Sequence, residues 1–162
     1  MRDYQEYATI LAVFTTALYL ALVVAAFGLI SLATNTDVVS QPDAGPLVGP
    51  VATGAAVLSV FVLLLVLGVN TPPEQQRIRP GFAAGTGLAA VGALVVTGGV
   101  LYAVAVGELV GILTFAGAML LSPFAAATGV LAFLVVLVYS WILAAHIGEQ
   151  GRPLWPWERR GE

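Results

Sequence analysis

Four long apolar stretches, each free of Asp, Glu, Lys and Arg, alternate with short polar segments along the chain: residues 8–33, 50–69, 82–106 and 124–147. Each is long enough to cross a hydrocarbon layer of roughly 30 Å, which takes about 20 helical residues. In lipid every backbone amide must be bonded within its own segment, so the expected element is a helix. The internal glycines fit this, since membrane helices carry more of them than soluble ones do. Thr34-Asn35-Thr36-Asp37 opens a polar loop after the first stretch, and Asn70-Thr71-Pro72-Pro73 ends the second. The pattern predicts an all-α integral membrane fold, a four-transmembrane-helix bundle forming one domain over residues 1–162, with a tail at 148–162.

The segment between the third and fourth stretches is harder to place. Residues 107–123 read GELVGILTFAGAMLLSP, apolar apart from Glu108. Its apolar run over 109–121 is too short to cross, so a re-entrant piece, an interfacial piece or a loop is expected.

Arginine positions set an orientation. Arg2 precedes the first stretch, Arg77 and Arg79 lie between the second and third, and Arg152, Arg159 and Arg160 follow the fourth. The segments on the other side carry Asp37, Asp43 and Glu108 and nothing basic. The positive-inside rule assigns the arginine side to the cytoplasm, so a multi-pass protein of the cell membrane with both termini cytoplasmic is expected. Ser31-Leu32-Ala33 resembles a signal-peptidase site. The apolar stretch before it far exceeds the 7–15 residues of a signal core, so the first span is expected to stay as an anchor.

Composition narrows the class. Hydrophobic residues make up 59% of the 162 and charged ones 9%, with a net charge of −3, against about 25% charged in soluble domains. A soluble enzyme and a disordered chain are excluded, and the lipid bilayer is the expected partner. Without a basic patch to neutralise phosphates, nucleic acid is not an expected one. Lysine-free, acidic and rich in Ala, Gly, Val and Leu, the composition resembles that of salt-adapted archaeal membrane proteins, a bias that GC-rich bacterial genomes share. With no Cys, thiolate catalysis, Cys-ligated zinc and iron–sulfur clusters are excluded.

A shift of 73 residues lays the first stretch on the third and the second on the fourth, matching Pro50-Val51-Ala52 with Pro123-Phe124-Ala125. This echo is either chance in low-complexity apolar sequence or a duplication. A duplication gives two hairpins in the same orientation, related by an axis along the membrane normal.

Small residues recur at every fourth position in the third stretch, at Gly81, Gly85, Ala89, Ala93 and Thr97, and in the first at Ala17, Ala21 and Ala25. Such faces let helix backbones approach closely in lipid. Packing within one bundle is the expected use, and an interface with other membrane subunits or another copy of the chain is the alternative. Hydroxyls such as Thr15, Thr16, Tyr19, Thr53, Ser59, Thr86, Thr128, Tyr139 and Ser140 are expected to bond back to their own helix or to a neighbouring one, or else to line a small polar cavity. No acidic or basic residue lies mid-span, which argues against a proton relay, a voltage sensor or a buried-glutamate multidrug transporter.

Glu108 either faces water or is partly buried under the apolar run at 109–121. A lone His146 near the end of the fourth stretch is expected at the interface, with a single-ligand haem or quinone contact as the alternative. Trp155, Trp157, Arg159 and Arg160 in the tail are candidates for interfacial anchoring or for docking a partner. No catalytic constellation, metal set or cofactor motif is present. The sequence therefore predicts a non-enzymatic membrane protein, an accessory or assembly subunit of a larger complex; a transporter-like or channel-like protein with a hydroxyl-lined path between two hairpins is the alternative.

Overall fold

The computed structural model describes residues 2–39, 45–71, 79–107 and 111–150, and within residues 2–4 and 146–150 only the backbone. Five helices follow in order: α1 (Arg2–Thr34), α2 (Val48–Asn70), α3 (Pro80–Val106), α4 (Gly111–Leu120) and α5 (Pro123–Gln150). The four others are long and apolar enough to cross a membrane, whereas α4 has 10 residues.

Their ends follow local rules. Thr34 bonds back to the Ile30 carbonyl at 2.7 Å, and Asn35 turns the chain out of α1 at φ 51°. Pro80 occupies the first turn of α3, where its missing N–H costs nothing. Gly107 closes that helix in the left-handed conformation at φ 76°, donating its N–H to Ala103 O at 2.8 Å. Ser122 caps α5: its Oγ accepts the Ala125 N–H at 3.2 Å, with Pro123 next in the chain.

The long helices form a ring. α1 and α3 each pack against both α2 and α5, so α1 and α3 stand at opposite corners and α2 and α5 touch across the centre. The seam between α1 and α5 is pinned twice. Tyr19 of α1 donates its hydroxyl to the Thr128 carbonyl of α5, and Tyr139 of α5 donates to the Ala8 carbonyl of α1, both at 3.1 Å. The two bonds lie 11 residues apart on each helix, about 16 Å of antiparallel register at 1.5 Å per residue.

Buried positions correct the register of the internal echo. At an offset of 73, Ala8, Ala12, Thr15, Tyr19, Val23 and Phe27 of the α1 core fall on Gly81, Gly85, Leu88, Gly92, Val96 and Val100, all exposed. An offset of 71 instead places Ala12, Thr15, Tyr19, Val23 and Phe27 on buried Ala83, Thr86, Ala90, Leu94 and Gly98. For α2 and α5 the matching offset is 72, taking Ala52, Ala56, Val60, Leu64 and Leu67 onto Phe124, Thr128, Ala132, Val136 and Tyr139. Helical periodicity returns to one face every three or four residues, so such coincidence fixes a register and not an origin.

The segment expected to be re-entrant, interfacial or a loop contains the short helix α4, lying against the far end of α3. Phe115 stacks on Tyr102 with ring centroids 4.5 Å apart and planes 10° from parallel. Met119 covers Gly98, and Ile112 lies beside Gly99. At about 15 Å long, α4 is too short to span.

Candidate functional site

Six Ser and Thr hydroxyls of the long helices serve their own helices. Thr16, Thr53, Thr86 and Thr128 bond to carbonyls four residues back at 2.8 to 3.0 Å, and Ser59 and Ser140 to carbonyls three back at 2.7 and 2.8 Å. Each of these donors is thus engaged, as a polar group away from water requires. Thr15 lines a groove of about 200 Å³ between α1 and α5, whose other walls are Leu18, Leu22, Leu134, Val135, Val138 and Ile142. A wider groove of about 400 Å³ between α3 and α5 is apolar throughout, with Leu88, Val91, Val130 and Phe133 among its walls.

A third cavity has mixed chemistry. It measures about 230 Å³ and lies at the bundle end opposite the N terminus, between the segment after α1 and the α4–α5 corner. Thr36, Asp37 and Ser122 bring polar atoms, while Phe115, Met119 and Phe124 form much of the apolar wall. Phe124 meets Phe27 edge-on at 5.3 Å and 86°; with Phe115 held on Tyr102, two rings are fixed in place. Ser122 donates its hydroxyl to Met119 O at 2.6 Å while capping α5, which leaves one lone pair for another partner. The Thr36 and Thr34 hydroxyls share a bond of 2.6 Å. Among the described residues of the lining, exposed Asp37 is the one that carries a charge.

The small-residue faces lie elsewhere than the bundle core. Gly81, Gly85 and Ala89 are exposed, Ala93 and Thr97 half-buried, and Ala17, Ala21 and Ala25 exposed. A Cβ built at Gly81 or Gly85 meets nothing within 4 Å. Packing within the bundle instead uses Ala83, Thr86, Gly87, Ala90, Leu94 and Gly98, a face rotated from the one expected. It brings Gly87 close to Gly129 of α5, where a Cβ on Gly87 would stand 2.8 Å from the Gly129 carbonyl oxygen. Spacing could not single these out, because almost every face of α3 carries small residues.

His146 lies in the last turns of α5, in the stretch described by its backbone alone. Glu108, Trp155, Trp157, Arg159 and Arg160 lie outside the described residues. Among the described residues no three His, Cys, Asp or Glu side chains gather as metal ligands.

A family model matches residues 1–162 and is described as a family of unknown function (DUF6121). No curated protein and no solved structure matches the chain.

Proposed function

The chain belongs to the DUF6121 family, and we propose that it is a non-enzymatic multi-pass protein of the cell membrane that acts by associating with other membrane helices, as an accessory or assembly subunit. One observation carries this reading: the small-residue face of α3, at Gly81, Gly85 and Ala89, is exposed, and a Cβ built at Gly81 or Gly85 meets nothing within 4 Å. In lipid, where apolar side chains gain nothing by leaving the solvent, small outward faces are where helices associate. The outward alanines of α1, Ala17, Ala21 and Ala25, offer a second such face. Both termini lie in the cytoplasm on the strength of the arginine distribution. That the two hairpins, α1–α2 and α3–α5, descend from one duplicated hairpin is a reading supported by the opposite-corner placement of α1 and α3.

A hydroxyl-lined path between the hairpins has less support. Most of the buried hydroxyls that would line it are bonded to carbonyls of their own helices, and Tyr19 and Tyr139 bridge the α1–α5 seam.

The test is extraction in mild detergent with identification of the chains that accompany the protein. A partner, or a second copy, held by the wild type and released by Gly85→Leu and by Ala89→Leu at unchanged thermal stability is the expected result. A single species for wild type and variants alike contradicts the reading.

A further inference from the structure

We propose that the mixed cavity between Asp37 and α4 is a binding site for a small organic monocation, an alkylated or quaternary ammonium group. Three features carry this independently of the association role. The first is charge. Asp37 is the one charged residue among the described residues of the lining. A carboxylate at the cavity mouth attracts cations and repels anions.

The second feature is the wall. Two phenylalanines and a methionine, Phe115, Met119 and Phe124, are part of its wall. Such groups favour an alkylated cation, whose charge is spread over methyl or methylene groups, over a strongly hydrated one. A hard metal ion is poorly served here. Calcium takes six to eight oxygen ligands, and the lining offers one carboxylate with the hydroxyls of Thr36 and Ser122.

The third is size. A volume of about 230 Å³ holds roughly eight water-sized groups at about 30 Å³ each. That suits a choline-sized cation and is too small for a drug-sized ligand. The second lone pair of the Ser122 hydroxyl is free to accept a proton from a ligand hydroxyl or N–H group. This ammonium chemistry is supplied either by a free amine or by a phospholipid headgroup.

The test uses full-length protein in phosphatidylglycerol nanodiscs, titrated with choline and, in parallel, with its uncharged carbon isostere 3,3-dimethylbutan-1-ol, followed by saturation-transfer NMR. Choline is expected to saturate below ~10 mM and the isostere not to bind. Asp37→Asn, at an exposed position, should weaken choline at least tenfold, and Ala118→Leu, which fills the cavity with the carboxylate intact, should abolish binding. Repeating the titration in phosphatidylcholine nanodiscs separates the sources. Loss of choline binding there, with phosphatidylcholine enriched around the wild type and not around Asp37→Asn, assigns the site to the headgroup; unchanged choline binding assigns it to a free amine. Failure of choline to saturate, equal affinity for Asp37→Asn, or equal binding of the uncharged isostere overturns the proposal.

Discussion

The hydroxyl of Tyr139 stands where a side chain on Gly68 would begin. A Cβ built on Gly68 overlaps the Tyr139 oxygen and comes within 3.1 Å of the Ala8 Cβ, so α2 must present glycine where α5 reaches across to the Ala8 carbonyl of α1. Three helices are held in register at this one level.

Gly68→Ala is therefore expected to destabilise the protein by about 1–3 kcal/mol, the usual cost of overpacking. Tyr139→Phe removes the hydroxyl and with it the hydrogen bond to the Ala8 carbonyl, for about 1 kcal/mol. Because the ring carbon beneath that oxygen is 3.5 Å from the added Cβ, Gly68→Ala should cost much less in the Tyr139→Phe background. Thermal or denaturant melts of the four proteins in detergent measure the coupling. Additive effects would mean that the two residues do not meet.

The two glycine faces of α3 should respond oppositely. Gly87→Ala drives a methyl against the Gly129 carbonyl oxygen at 2.8 Å, and backbone yields poorly, so a loss of about 1–3 kcal/mol is expected. Gly85→Ala meets open space and should be neutral, or stabilising by up to ~1 kcal/mol through helix propensity. Melting temperatures of the purified variants decide it, and equal destabilisation would return the Gly81–Gly85–Ala89 face to the bundle interior.

Much of the fold was legible in the sequence and one level of it was not. The four charge-free stretches mark the four long helices; α1 runs back over Glu6, Asp3 and Arg2 and α5 on past Glu149, because a helix in water or at an interface does not stop at a charge, while α2 and α3 gain two or three residues. Asn70 and Gly107 mark helix ends for stated chemical reasons. The inward face of α3 was hidden: a helix apolar all round has no polar side to set its phase, and small residues occur on every turn of it. Tyr19 and Tyr139 were the better guides. A phenolic hydroxyl away from water needs an acceptor, and reading the core at their phase selects Ala12, Thr15 and Val23 on α1, and Ala132, Val136 and Leu143 on α5, all of them buried. The mixed cavity was not legible, because Asp37 and Ser122 are 85 positions apart and meet only once α4 folds back.

Helix α4 is held by few contacts, so it should be the least protected helix. Phe115→Ala removes the ring stacked on Tyr102 and is expected to raise hydrogen exchange across residues 111–120 at least tenfold, a local opening about 1.4 kcal/mol easier. Protection of the α1–α5 seam around Tyr19 and Tyr139 should be unchanged. Loss of protection in both regions would make α4 part of the bundle's cooperative unit.

The central claim is that four helices cross the membrane with both ends in the cytoplasm, and thiol accessibility tests it most directly because the chain has no Cys. Single variants Ser40→Cys, Gln75→Cys and Gly161→Cys are exposed to a membrane-impermeant maleimide, first on intact cells and then after permeabilisation. The account predicts that Ser40→Cys reacts on intact cells, while Gln75→Cys and Gly161→Cys react only once the membrane is opened. Labelling of Gly161→Cys on intact cells with Gln75→Cys still protected would contradict it, since the chain would then cross a fifth time.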